Sequence, residues 1–128
     1  MGNGTSLGRV RGLGSAHEGT QHWWKQRVTA CANLLLMVWL LVALARLPDH
    51  GYVTVTHWLA SPWAAVPMIL LIISVFTHFR LGLQVVIEDY QHDASRVLML
   101  VLLNFFTVAA GALAIFSVLK VAFAGAPA

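Results

Sequence analysis

Two ionisable residues, His78 and Arg80, interrupt an otherwise apolar run between residues 63 and 87. A charged side chain near the centre of a bilayer costs roughly 2.5–3.5 kcal/mol, so ionisable residues at that depth are functional by default. An imidazole there has three possible roles. It can form a hydrogen bond between helices, relay a proton, or serve as an axial ligand of a haem iron. The residue types and spacing alone favour the interhelical hydrogen bond and the haem ligand equally, and favour the proton relay less.

One predicted helix face carries His78, Gly82, Val85 and Asp89, which follow an i, i+4, i+7, i+11 spacing. Gly82 removes a side chain one turn from His78, which would leave room for something large and flat and so favours the haem interpretation. His78 is also the only histidine predicted at membrane depth, so a bis-histidine haem would take its second ligand from another chain. The other histidines fall in the predicted arm and loops: His17, His22, His50, His57 and His92.

Four further polar residues are candidates for binding. Arg80 lies about 200° around the helix from His78, and we expect it either to reach the interface or to contact an anionic group, such as a propionate or a carboxylate of another subunit. Tyr90 is either an interfacial anchor or a hydrogen-bond donor to a quinone carbonyl, with Asp89 holding an arginine nearby. Arg27 either meets a haem propionate or the quinone region, or merely marks the end of a span.

No catalytic motif accompanies these residues. The sequence contains no nucleophile elbow, no glycine-rich phosphate loop and no HExxH motif, and Ser74 and Thr77 are predicted to bond only within their own helix. The single cysteine, Cys31, excludes an internal disulfide, a structural zinc site or an iron–sulfur cluster within this chain. Any redox chemistry would therefore be shared with other subunits.

The elements that position these residues are membrane helices. The chain has 128 residues, of which 59% are hydrophobic and 10% charged, against roughly 25% charged in soluble domains. Three segments, 28–47, 63–87 and 97–121, are long enough as helices to cross roughly 30 Å of hydrocarbon. The fold class predicted is an all-α membrane protein with three transmembrane helices. The small residues at 109–112 either allow a neighbouring helix to approach closely or simply face lipid.

Charge placement predicts the topology. Basic residues precede the first span, which places the N-terminus in the cytoplasm and the C-terminus in the periplasm, and indicates no nucleic-acid binding. We expect an irregular cytoplasmic arm at 1–27, a membrane domain at 28–128, and loops at 48–62 and 88–96. The basic residues concerned are Arg9, Arg11, Lys25 and Arg27.

Two blocks of the sequence resemble a known family. The stretch 78-HFRLGLQVVIEDYQHD-93 resembles the signature of the hydrophobic membrane anchor subunit of succinate dehydrogenase, respiratory complex II, in bacteria and mitochondria. The block 7-LGRVRGLGSAHEGTQHWWKQRVTA-30 is similar to the N-terminal segment of bacterial members. The resemblance covers nearly the whole chain. Arg80 departs from those relatives that carry an aromatic residue at its position.

The resemblance implies a function for four residues. His78 would be an axial ligand of the iron of a haem b shared with a cytochrome b subunit, and Arg27 would lie near the haem propionates. Tyr90 would hydrogen-bond ubiquinone, and Asp89 would orient a basic residue of the partner beside that quinone.

The same resemblance implies an assembly. The chain would be half of a heterodimeric helical bundle in a bacterial inner membrane, completed by the cytochrome b subunit and by lipid. A flavoprotein subunit and an iron–sulfur subunit would carry electrons from succinate, linking the citric acid cycle to electron transport. The alternatives are the anchor of a fumarate reductase, a proton-conducting subunit, or a purely structural subunit in which His78 joins helices.

Overall fold

The computed structural model describes residues 6–10 and 17–124, and every regular element in these ranges is a helix. Three of the helices are long and apolar enough to cross a membrane. The prediction of an all-α protein with three spans is therefore confirmed. Arg11 and the rest of the predicted arm at 1–5 and 11–16 lie outside the described residues. The helices are α1 (Ser6–Val10), α2 (His17–Ala45), α3 (Tyr52–Leu59), α4 (Pro62–Tyr90) and α5 (Ala94–Ala124).

Helix α2 begins well before the predicted span, so the expectation of an irregular segment is wrong for residues 17–27. This stretch contains no proline, and its only glycine is Gly19. Glutamate, glutamine, lysine and tryptophan are all tolerated in helices, and extending an existing helix avoids the unfavourable nucleation step. The polar end of α2 therefore continues the axis of the apolar span.

The predicted loop at 48–62 contains a short helix, α3, that was not predicted. Asp49 stabilises the turn that precedes α3. Its carboxylate accepts hydrogen bonds from the Gly51 N–H at 2.7 Å and from the Thr54 hydroxyl at 2.8 Å. These bonds, the Gly51 N–H first, lower the pKa of Asp49 below its usual 3.8. Asp side chains often accept hydrogen bonds from nearby backbone amides in turns. Such a bond does not by itself predict a helix from the sequence, so α3 was not expected.

Helix α3 is fastened to the bundle by one aromatic pair and one buried residue. The rings of Trp39 and Trp58 stack with centroids 6.0 Å apart and an interplanar angle of 26°. Thr56 is buried and satisfies its hydroxyl on the Tyr52 carbonyl at 2.8 Å. These contacts hold the connection between α2 and α4 against one end of the bundle.

Helix α4 is the central element. It packs against α2 and against α5, whereas α2 and α5 make no close contact with each other in the described part of the chain. Gly111 of α5 is buried, and a Cβ added there would lie 3.7 Å from the ring of Phe76. The small segment at 109–112 thus permits the close approach of α5 to α4, as one of its two interpretations predicted.

The buried core is small for a chain of this size. Most large apolar side chains point outward, as expected where lipid or other subunits cover the helices. The buried hydrophobic residues are Ala64, Ala65, Leu71, Leu81, Ile87, Leu103 and Val118.

Candidate functional site: a groove beside His78

A stripe of polar side chains runs along the membrane helix α2. His22, Gln26, Thr29 and Asn33 follow an i, i+4, i+7, i+11 spacing and therefore share one face. Gln26 and Thr29 contact residues of α4, so this face is turned toward the central helix. We call these four residues the polar stripe. Its regular spacing is a signal in the sequence that indicates a polar helix face beside His78.

His78 meets the polar stripe at Thr29. The Oγ1 of Thr29 lies 3.0 Å from Nδ1 of His78, and the same oxygen lies 2.8 Å from the Lys25 carbonyl and 3.1 Å from the Gln26 carbonyl. The imidazole is half-buried and engages α2 through Nδ1. Its other nitrogen, Nε2, is the one left to bind a further partner.

Ser74 forms a second bond between the two helices. Its hydroxyl donates to the Thr29 carbonyl at 3.2 Å. The prediction that Ser74 bonds only within its own helix is therefore wrong, because α2 approaches closely enough to offer a carbonyl. Thr77 behaves as predicted and donates to the Ile73 carbonyl at 2.7 Å.

An open groove of about 410 Å³ lies beside the imidazole. Two polar atoms of residues that line it, Nε2 of His22 and Oε1 of Gln26, are buried without a hydrogen-bond partner among the described residues. Buried polar groups are nearly always satisfied, so these two atoms are exceptions within the described part of the chain. The lining residues are Gly19, His22, Trp23, Gln26, Arg27, Ala30, His78 and Val85.

Gly82 has a different neighbour from the one expected. A Cβ added at Gly82 would lie 3.6 Å from Nε2 of Gln26, an ordinary van der Waals contact. The missing side chain therefore admits the Gln26 amide of this same chain. Any room for a large flat group lies beyond that amide, in the groove.

Arg27 lines the same groove as His78. Its guanidinium carbon lies 5.4 Å from the ring centroid of Trp23, a cation–π contact between two residues that line the groove. The structure thus brings together two of the predicted site residues, one a potential iron ligand and the other a fixed positive charge.

Tyr90 and Asp89 do not belong to this groove. They end α4, and Tyr90 follows His78 by about 18 Å of helix at 1.5 Å per residue. The Tyr90 side chain is 80% exposed. If these residues bind a ligand, it is a separate site whose other walls come from elsewhere.

Arg80 has a partner that the sequence did not suggest. Its Nε donates to Oδ1 of Asn104 on α5, and the Asn104 amide in turn donates to the Leu100 carbonyl at 2.9 Å. Phe76, Thr77 and Arg80 line a small hollow with Thr107 and Val108 of α5. Arg80 therefore faces α5 and joins α4 to it within the chain.

Comparison with known proteins decides the family. Residues 1–113 match the family described as succinate dehydrogenase/fumarate reductase transmembrane subunit. The chain belongs to this family. The predicted resemblance to the hydrophobic membrane anchor subunit of succinate dehydrogenase is thereby confirmed.

Two curated members of the family illustrate the degree of similarity. The succinate dehydrogenase hydrophobic membrane anchor subunit of Rickettsia bellii is 38% identical over 84 residues, covering 64% of this chain and 66% of its own length. The corresponding subunit of Paracoccus denitrificans is 33% identical over 87 residues, covering 68% of this chain and 67% of its own length. The match thus spans about two thirds of each anchor subunit. No solved structure gives a significant match.

Proposed function

We propose that the chain is the hydrophobic membrane anchor subunit of a succinate:quinone oxidoreductase, in which His78 is one axial ligand of a haem b. The observation that carries this proposal is the open groove beside a half-buried imidazole, on a chain of the anchor-subunit family. The names of the relatives support the succinate dehydrogenase assignment. In this proposal the chain is not catalytic on its own.

The residues around His78 fit a haem. The Nδ1 atom is engaged by Thr29, which leaves the lone-pair position at Nε2 for iron. Ala30 and Val85 give the groove apolar walls of modest size. When bound, haem b would hold one electron at a time. The second axial ligand would come from the cytochrome b subunit, as the resemblance implies; within this chain, His22 of α2 also lines the groove.

Arg27 supplies the countercharge in this proposal. Its guanidinium carries a permanent positive charge and has planar donors that match a carboxylate. Placed in the same groove as His78, it would bind a haem propionate. The Trp23 ring beneath it limits the freedom of the side chain and so reduces the entropy lost on binding.

Tyr90 would take part in the ubiquinone site. Its exposed hydroxyl can donate a hydrogen bond to a quinone carbonyl and stabilise the negative charge that develops there as electrons arrive. Asp89 would hold a basic residue of the partner subunit beside the same carbonyl. Because both side chains are exposed in this chain, the partner must build the remaining walls.

The single cysteine and the exposed apolar surface of the first span support the proposed assembly. With one cysteine, it holds no iron–sulfur cluster, so the clusters and the flavin would reside in the iron–sulfur and flavoprotein subunits on the cytoplasmic side. The apolar window of the first span is not buried within the described chain, which suits the cytochrome b subunit and the lipid of a bacterial inner membrane. The same architecture would serve a fumarate reductase anchor.

One alternative has a specific observation in its favour. The bond between Thr29 and His78 is what a purely structural, helix-joining histidine would also make. The absorption spectrum of the purified complex separates the two. In His78→Ala, loss of the low-spin haem b bands supports ligation, while retention of an unchanged six-coordinate spectrum supports the structural role. His57→Ala, an exposed histidine of α3, is the matched control and should leave the spectrum intact.

A further inference from the structure

The Thr29 hydroxyl has one proton and three neighbours that compete for it. The Lys25 and Gln26 carbonyls can only accept a hydrogen bond, whereas Nδ1 of His78 can donate or accept, depending on the tautomer. If the hydroxyl donates to a carbonyl, the bond to His78 must run from Nδ1–H to the Thr29 oxygen.

The distances agree with that arrangement. The contact with the Lys25 carbonyl is 2.8 Å, the usual length of an O–H···O bond. The contact with Nδ1 is 3.0 Å, the usual length of an N–H···O bond in which nitrogen donates. The neutral imidazole then carries its proton on Nδ1 and its lone pair on Nε2, the form that binds a metal through Nε2.

Thr29 is itself held in place. Its backbone carbonyl accepts the hydroxyl of Ser74 from α4 at 3.2 Å, so two interhelical bonds within about one turn connect α2 to the segment that bears His78. The β-branched side chain of threonine has few allowed rotamers in a helix, particularly when its hydroxyl bonds back to the preceding turn. The oxygen that faces Nδ1 is therefore fixed before any ligand arrives.

We propose that Thr29 is a positioning residue for His78: it selects the Nδ1–H tautomer, orients the ring and raises the basicity of Nε2. This inference rests on the proposed haem ligation by His78. Thr29 itself makes no contact with the iron in this proposal and acts only through the imidazole.

The experiment compares three variants in the purified multisubunit complex. Thr29→Val keeps the β-branched shape but removes the hydroxyl, Thr29→Ser keeps the hydroxyl, and Thr77→Val removes a hydroxyl on α4 that bonds only within its own helix. Two quantities are measured: the affinity for haem, by competition with a haem-binding apoprotein, and the midpoint potential, by redox titration followed in the absorption spectrum.

Thr29→Val should lower the haem affinity about 10- to 100-fold, as is typical when the outer hydrogen bond to a metal-bound histidine is lost. It should also shift the midpoint potential in the positive direction, because a less basic imidazole stabilises the oxidised iron less. Thr29→Ser and Thr77→Val should stay close to the wild type in both quantities.

Two outcomes would overturn the positioning role while leaving the proposed function intact. One is a Thr29→Val complex that matches Thr77→Val in affinity and potential, and the other is a Thr29→Ser complex as impaired as Thr29→Val. A wild-type complex without haem, or a His78→Ala complex with an unchanged spectrum, would instead overturn the proposed ligation, and the role of Thr29 with it.

Discussion

Substitutions at Gly82 test how much space the groove needs. A Cβ at this position would lie 3.6 Å from Nε2 of Gln26, so Gly82→Ala meets only an ordinary contact. It should leave stability unchanged or raise it by up to about 1 kcal/mol, the difference in helix propensity between glycine and alanine. Gly82→Leu adds three carbons beyond that contact and must displace the Gln26 amide into the groove. Overpacking of this kind costs about 1–3 kcal/mol.

The assay is thermal denaturation of the purified complex, followed together with its haem content. Gly82→Leu should lose both stability and haem, whereas Gly82→Ala should keep both. Gly111→Leu is the matched control, because Gly111 packs against Phe76 at the α4–α5 contact away from the groove. It should lower stability and keep the haem. A Gly82→Ala complex as depleted of haem as Gly82→Leu would refute the view that Gln26 separates Gly82 from the cofactor.

Three further predictions address other parts of the molecule. In a double-mutant cycle on the stability of the complex, Arg80→Leu and Asn104→Leu should show a coupling energy of about 0.6 kcal/mol, and at most about 1.7 kcal/mol. Additive effects would mean that the hydrogen bond between the two side chains contributes nothing. Asp49→Ala should increase hydrogen exchange of the amides at 51–55 at neutral pH. Because the pKa of Asp49 is lowered below 3.8, the stabilisation by its carboxylate is present at pH 7 and is lost only as the pH falls through that lowered value. Unchanged exchange in Asp49→Ala would contradict this role of Asp49. Tyr90→Phe should slow quinone reduction and leave succinate oxidation by an artificial electron acceptor intact, whereas equal loss of both activities would argue against a quinone site there.

The three spans were predictable because length and apolar composition dominate in a membrane. The ends of the helices were less predictable. Residues 17–27 are too polar to predict a membrane span from hydropathy. They also contain no proline that would end a helix, so α2 continues through them. The turn that precedes helix α3 contains a hydrogen bond from the Gly51 amide to Asp49, which hydropathy does not register.

The site was predictable only where its residues stand out from an apolar background. His78 and Arg27 do, and the structure places both at one groove. Thr29 and Ser74 do not, because hydroxyls are common in membrane helices and usually bond to their own backbone. The spacing of the polar stripe indicates the helix face that carries Thr29, but its bonds to His78 and Ser74 become visible only when α2 and α4 are within hydrogen-bonding distance.

Ligation of the haem iron by His78 is tested most directly by the electron paramagnetic resonance spectrum of the oxidised complex, recorded for the wild type and for His78→Ala. We expect a low-spin signal typical of two imidazole ligands in the wild type, and its replacement by a high-spin signal or the loss of haem in the variant. The same low-spin signal in both complexes would show that the iron ligand lies elsewhere and would contradict the central claim about His78.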